Sequence, residues 1–436
     1  MANAALAGAS ETALAKAFAV AMRRCLDACQ GNPSPTYLFT ALSGGPDSTA
    51  LAWLTQEYAA QHGMRHTSLI VDHGIRDDSL AEAQRVARRM CDVGLNTEIL
   101  TVEANAPSTG LQAWAREQRY ALMLARVRRD RGCLLLGHHV GDQAETVAMR
   151  LSRGSGLAGL AGMARVSLRA GVMLLRPLLD MSPAALADYC LVHGLAFEQD
   201  PSNLDRRFER VCIRQDLALM AGQGSPMPHQ LIRLSHAARD IDNALLRGLA
   251  EADWLPDIQA AGFALLPGSI GHLPSPVAAR LLAHVIRQVA RLSPPPSRRS
   301  LDRLVARLAV NRAATLGGAR FSRHEGGWLV TAEPGRHPPR QHVRAGKRTI
   351  FGGIWDIASP VDAVIRHLGM AGSGVARGWM QMPGWSALPS LARRAMPVLE
   401  TLDGTVIYPH LQTNDMCKDS ITKATARFLP LPTYRN

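Results

Sequence analysis

Four short apolar runs, each followed by a helix-like stretch, constrain this chain more than any other feature. The runs are Tyr37–Leu42, Thr67–Val71, Thr97–Val102 and Cys133–Leu136. A helical stretch of about residues 11–30 precedes the first. Helices are expected to about Gln61, from Ser79 (with Ser79 and Glu82 spaced as a capping box), over Leu111–Arg129 and from near Asp142. Strand–helix units of this length imply a parallel sheet covered on both faces. Ligands of such sheets bind beyond the C-terminal strand ends. The loops at Ser43, Asp72, Glu103 and Gly137 are therefore where chemistry is expected.

At 436 residues the chain is long enough for two or three domains. Ser182-Pro183 opens a further helix, and Gly222–Pro228 reads as a linker. Residues 229–250 and 277–312 look mainly helical, and 319–333 look like a hairpin turning at Gly326-Gly327. A Pro/Arg-rich stretch at 334–346 precedes a segment of short strands and helices. The expected class is α/β: a parallel-sheet catalytic domain over 1–216, a helical domain over 217–333 and a small α+β domain over 334–436.

The net charge is +13, unevenly spread. Residues 1–216 carry 23 Lys and Arg against 22 Asp and Glu, and residues 217–436 carry 26 against 14. A neutral first half with a basic second half fits a catalytic body joined to a polyanion-binding appendage. Arginine supplies 45 of the 49 basic residues, a composition bias that does not explain the asymmetry. The seven cysteines, Cys25, Cys29, Cys91, Cys133, Cys190, Cys212 and Cys417, include no CxxC pair. That excludes a disulfide framework and points to a reducing compartment. No run of apolar residues is long enough for a membrane span, so the expected location is the cytoplasm.

Ser43-Gly44-Gly45-Pro46-Asp47-Ser48 stands where the first strand meets its helix. Adjacent glycines, backbone N–H groups and a helix N-terminus make an anion site, to which two serines add hydroxyls. Asp47 would repel a bare phosphate, which implies a bridging Mg²⁺. The string is no Walker A loop, since no GxxxxGK[ST] occurs. Asp142 and Glu145 share one helix face and could hold Mg²⁺ or an ammonium group. The alternative is capping, with Asp142 at the N-cap and Glu145 three residues on. Arg116 and Arg119 could stabilise charge at a phosphate, or form a solvated face with Arg126, Arg128 and Arg129. Asp72-His73, His138 and His139 could contact nucleotide or simply shape turns.

The Ser43–Ser48 string resembles the SGGxDS signature of the PP-loop, or N-type, ATP pyrophosphatases. Further strings narrow the resemblance: Val71-Asp72-His73-Gly74-Ile75-Arg76, Gln112–Tyr120, Gly137–Thr146 running on to Arg153-Gly154-Ser155-Gly156, Arg176-Pro177-Leu178, and Asp200 with Asn203. In order and spacing over about residues 36–215 the chain resembles the tRNA(Ile)-lysidine synthases, and more weakly beyond. That implies an ATP-dependent ligase joining free L-lysine to C2 of the wobble cytidine of an isoleucine tRNA. An adenylated intermediate forms as ATP gives AMP and pyrophosphate. The resemblance implies nucleotide contacts from Ser43, Gly44, Gly45, Pro46, Asp47, Ser48, Asp72, His73 and His138. It implies catalytic roles for Asp47, Arg116, Arg119, Asp142 and Glu145, Mg²⁺ at Asp47 and Asp142, and tRNA or phosphate contacts from Arg153, Arg176, Arg210 and Arg214. The sequence departs from the family at Val211, where Asn is usual, and at Ser373–Trp379, where a lysine-rich stretch is usual. The rival reading is a tRNA sulfurtransferase on the same fold.

Overall fold

The computed structural model describes residues 2–29, 35–75, 78–103, 107, 109–198, 209–256, 262–290, 296–333, 340–352, 355–369, 388–411 and 424–428. Arg76, the Asp200–Asn203 turn, Ser373–Trp379 and Cys417 lie outside them. The chain forms two compact units that meet in sequence at Asp240/Ile241.

The first unit is built on a six-stranded sheet. Its strands are β1 (Tyr37–Ala41), β2 (Arg65–Asp72), β3 (Thr97–Thr101), β4 (Cys133–Leu135), β5 (Val166–Arg169) and β6 (Val172–Leu175). Their order across the sheet is β3-β2-β1-β4-β6-β5. All pair in parallel except β5, which runs antiparallel to β6. The helices are α1 (Ala2–Asp27), α2 (Pro46–Gln61), α3 (Ser79–Asp92), α4 (Leu111–Arg129), α5 (Val140–Ser152), α6 (Leu157–Leu160), α7 (Pro183–Val192), α8 (Glu209–Gly222) and α9 (Met227–Glu251), the last crossing into the second unit.

Side chains of β1 show why the run is mainly apolar. Leu38 packs with Phe18 and Met22 of α1, Leu51 and Leu54 of α2 and Leu186 of α7. Its neighbour Phe39 points to the other face and packs with Tyr120, Met123, Leu124 and Val127 of α4. Both are fully buried, as a strand covered on two faces requires. From β1 the sheet grows to β2 on one side and to β4 on the other. The crevice above that pair is the switch point where a ligand is expected.

Three local expectations change. Asp78, not Ser79, is the N-cap of α3, and no side chain caps it; Ser79 Oγ instead donates to Asp72 Oδ1 at 2.7 Å. The N-cap of α5 is His139, with Asp142 at the third helical position, so the capping pair begins three residues earlier than Asp142–Glu145. The β5–β6 hairpin was not expected. Its turn, Ala170-Gly171, has φ of 47° and 79°, the left-handed pair that suits a two-residue hairpin. At α7 the expectation holds: Ser182 Oγ accepts from Ala185 N at 3.1 Å, with Pro183 in the first turn.

The second unit is α+β. A four-stranded antiparallel sheet, β7 (Phe263–Leu266), β8 (Ala314–Leu316), β9 (Ala319–His324) and β10 (Gly327–Ala332), has the order β7-β10-β9-β8. Helices α10 (Ser275–Ala290) and α11 (Arg298–Ala309) pack on it around Trp328, Phe321 and Val330. The expected hairpin is β9–β10, turning at Glu325-Gly326 with Gly327 already paired to His324. β7, unread in the sequence, supplies an outer strand of that sheet. Further on are β11 (Gln341–Val343), β12 (Lys347–Phe351), β13 (Trp355–Ser359), β14 (Ala363–His367), α12 (Ser390–Ala395), β15 (Pro397–Thr401), β16 (Val406–Ile407), β17 (His410–Leu411) and β18 (Thr425–Phe428). They form two four-stranded sheets, β11-β14-β15-β16 and β12-β13-β18-β17.

Candidate active site at the sheet switch point

The loop after β1 is tightly wired. Ser43 N donates to Ser48 Oγ at 3.1 Å, and Ser48 Oγ donates to Gly45 O at 3.0 Å. The Ser43 and Ser48 hydroxyls are also 3.1 Å apart. Gly44 has φ of +86°, and a Cβ there would stand 2.8 Å from Val86 Cγ2 of α3, so only glycine fits. Glu198 N donates to Gly44 O at 2.9 Å, and the Glu198 carboxylate meets Arg89 of α3 at 2.7 Å. No side chain caps α2, whose N-terminus opens into the crevice as an anion site.

Gly137, after β4, brings the second loop alongside. A Cβ on it would lie 3.4 Å from Asp47 O and from Ser48 N. His139 then caps α5: its Nδ1 accepts from Gly141 N at 3.0 Å and from Asp142 N at 3.4 Å. Asp142 Oδ2 returns the contact by accepting from His139 N at 3.0 Å. The imidazole Nε2 faces Asp47 Oδ2 at 3.5 Å and Asp142 Oδ2 at 3.6 Å. Asp47 Oδ1 is buried without a hydrogen-bond partner. Burial pushes the Asp47 carboxyl above the usual carboxylate range, and the neighbouring Asp142 adds to this while His139 opposes it. Burial also acts on Asp142, but His139, Arg210 and the backbone N–H of His139 outweigh it and hold that carboxyl below its usual value. Two nearby carboxyls thus have affinities for protons pushed apart, a pattern of acid–base sites.

Two arginines of α8 close over α5. Arg210 Nε donates to Glu145 Oε2 at 2.6 Å and Arg210 Nη2 donates to Asp142 Oδ1 at 2.8 Å. Arg214 Nε donates to Glu145 Oε1 at 2.6 Å. Glu145 is 2% exposed and so depends on these partners.

The third loop follows β2. Asp72 Oδ1 accepts from Gly74 N at 3.0 Å as well as from Ser79, so Asp72 shapes its own turn. Arg119 of α4 donates to His73 Nε2, from Nη2 at 3.1 Å. Burial, and then Arg119, lower the His73 pKa. Arg116 lies over the Tyr120 ring at 5.3 Å. Burial holds His138 down to about 4, and its Nδ1 is buried without a partner.

A family profile described as a PP-loop domain matches residues 19–220. The tRNA(Ile)-lysidine synthase of Ruegeria pomeroyi is 32% identical over 367 residues, covering 80% of this chain and 83% of that protein. The chain belongs to the tRNA(Ile)-lysidine synthase family. The synthase of Methylobacterium sp. (strain 4-46) is 39% identical across 70% of this chain and 91% of its own length. That of Hyphomonas neptunium is 35% identical across 72% and 86%.

In this lysidine synthase family member, Ser43–Ser48 lie on the β1–α2 turn, His138 lies on the adjoining loop after β4, and Asp142 and Glu145 lie in the first turns of α5. Arg119 and His73 meet each other. Arg176 Nη1, just after β6, donates back to Ala164 O at 2.9 Å and to Ser167 Oγ of β5 at 3.0 Å. Arg153 is exposed and pairs with Glu209. Arg210 and Arg214, read from the sequence as phosphate contacts, hold the Asp142–Glu145 pair. Val211 beside them is buried. Sequence reasoning missed His139 as the cap that faces Asp47, and Arg89 with Glu198 as the strap on the phosphate loop. Among the described residues no three His, Cys, Asp or Glu side chains gather as a metal site. The orphaned, buried Asp47 Oδ1 nevertheless suits Mg²⁺, which is held by one or two carboxylates plus phosphate oxygens and water.

Proposed function

We infer that this chain makes lysidine, joining free L-lysine to C2 of the wobble cytidine of an isoleucine tRNA at the expense of ATP. The observation that carries the reading is the placement of the Ser43–Ser48 loop against the buried Asp142–Glu145 pair, in a chain of this family. Cytidine O2 attacks the α-phosphate of ATP and pyrophosphate leaves. The lysine amine then forms a bond to C2, AMP leaves with its electron pair, and the amine loses a proton.

Ser43, Gly44, Gly45 and Ser48 hold the β,γ-phosphates through backbone N–H groups and hydroxyls, and Pro46, which has no N–H to donate, sets the first turn of α2 behind them. Asp72, His73 and His138 line the nucleoside side. Arg116 and Arg119 offset charge gathering at the α-phosphate. Asp47, with Asp142 beside it, would hold Mg²⁺, which would screen the phosphate charge. Asp142 and Glu145 take the lysine ammonium. Both are already paired with Arg210 and Arg214, each only partly buried, so an entering ammonium replaces a guanidinium and frees it for a phosphate. Arg153 and Arg176 flank that surface. We assign catalysis to residues 1–216 and tRNA binding to 217–333 and 334–436, from the excess of arginine beyond residue 216. A cytoplasmic location follows from the substrates; no helix among the described residues is long and apolar enough to cross a membrane.

Sulfur transfer needs an accessible thiolate. Of the six described cysteines, Cys25, Cys29, Cys133 and Cys190 are buried, with burial pushing Cys25 and Cys190 up to about 12; Cys212 is half-buried, and the exposed Cys91 lies in the last turn of α3, 3.4 Å from Thr97 Oγ1. The test is incubation with ATP, labelled lysine and bulk tRNA. Label should enter tRNA only when ATP is present and should appear in lysidine after nuclease digestion. Sulfur incorporation without lysine incorporation would overturn the reading.

A further inference from the structure

We propose that His139 is a positioning residue of this reaction, holding Asp47 of the phosphate loop and Asp142 of α5 in a fixed relation through one imidazole. The proposal rests on the lysidine reading above and adds a residue to it.

The ring has two occupied sides. On one, Nδ1 accepts from the backbone N–H groups of Gly141 and Asp142 at 3.0 and 3.4 Å. Two backbone donors leave no room for a proton on Nδ1, so the N–H of the ring is on Nε2. On the other side Nε2 stands almost equally far from Asp47 Oδ2 and Asp142 Oδ2, at 3.5 and 3.6 Å. These are longer than hydrogen bonds, and their near equality places one N–H between two carboxylate oxygens.

The backbone is cut to fit this ring. A Cβ on Gly141 would lie 2.8 Å from His139 Cε1 and 3.1 Å from Nδ1, so a side chain at 141 would displace the imidazole. The side chain is only 11% exposed and cannot swing into water without unpacking. Asp142 is fixed by two hydrogen bonds, from His139 N and from Arg210, and its Oδ2 faces the imidazole at 3.6 Å. Asp47 has no such set of partners; its Oδ1 has none, and Oδ2 faces His139. His139 therefore transmits the fixed position of Asp142 to Asp47. The first of these carboxylates serves the amine and the second serves the phosphates, so their separation sets how the two substrates meet.

A cap and a bridge can be separated by substitution. Asn places an acceptor near Nδ1 and is among the best N-caps, but has no atom at Nε2. Gln reaches the Nε2 position and is the poorer cap. His139→Asn should unfold at the wild-type temperature yet lose kcat for lysidine formation by on the order of 100-fold, with KM for lysine little changed. His139→Gln should be less heat-stable but retain more of kcat than His139→Asn. Wild-type kcat in His139→Asn, or losses of kcat that simply follow thermal stability in the two variants, would reduce His139 to a cap and overturn the proposal. The wild-type control separates the two claims. If it forms no lysidine, the functional reading fails, and the same Asn-against-Gln order is read on release of pyrophosphate from ATP.

Discussion

Arg214 Nε stands 2.6 Å from Glu145 Oε1, although 69 residues separate them and Glu145 is 2% exposed. Burying a carboxylate this far costs stability unless a cation pairs with it. Arg214→Ala should therefore cost about 2 kcal/mol, the scale of a lost hydrogen bond to a charged group, with Arg210 still in place. Glu145→Gln should abolish lysine incorporation while the protein remains folded. Urea unfolding and lysine incorporation on the two variants check this. An active Glu145→Gln protein would contradict the assignment of the amine site.

Asp47 is expected to behave in the opposite sense for stability. Burial raises its pKa, so its charge is a strain in the resting fold. Asp47→Asn should unfold no earlier than wild type, yet release of pyrophosphate from ATP should fall on the order of 100-fold or more. A destabilised but active variant would make Asp47 a structural residue.

Binding of tRNA should weaken steeply with salt, since phosphate contacts release counterions. Arg299 and Arg303 are exposed on α11 in the basic second half of the chain. Replacing both with Ala should reduce the slope of log affinity against log salt by about 1 to 2. Filter binding at several salt concentrations measures it. An unchanged slope would move the tRNA surface elsewhere.

Acid should destabilise the protein before its carboxylates titrate. Burial holds His66 and His284 down to about 4 from the ordinary 6.5. Between those values the unfolded chain binds protons that the native one does not. Stability from this source is complete above pH 6.5 and falls as pH drops toward 4, by up to about 1.4 kcal/mol per pH unit for each histidine. His284→Gln should flatten the dependence by about one proton. Urea unfolding at pH 6.5 and 5 gives the comparison, and a wild-type slope in that variant would contradict the account.

The strands and the Ser43–Ser48 loop were legible because they are local. Period, apolar content and adjacent glycines are written within a dozen residues. The pairing of Asp142 and Glu145 was legible for the same reason, being one helical turn. Their partners were not: Arg210 and Arg214 approach from 65 to 72 residues away, and a charge pattern names no partner at that separation. His139 escaped because cap signals rest on Ser, Thr, Asp and Asn, while here an imidazole nitrogen is the acceptor. The β5–β6 hairpin escaped because each strand is four residues long, too short to show a period.

The adenylated intermediate is the centre of the account, and ATP labelled at the α-phosphate tests it most directly. With lysine omitted, label should pass to tRNA as pyrophosphate appears; adding lysine should then release labelled AMP and leave lysidine in the tRNA. Label found on lysine before it reaches tRNA, or ADP and phosphate as the main products, would contradict it.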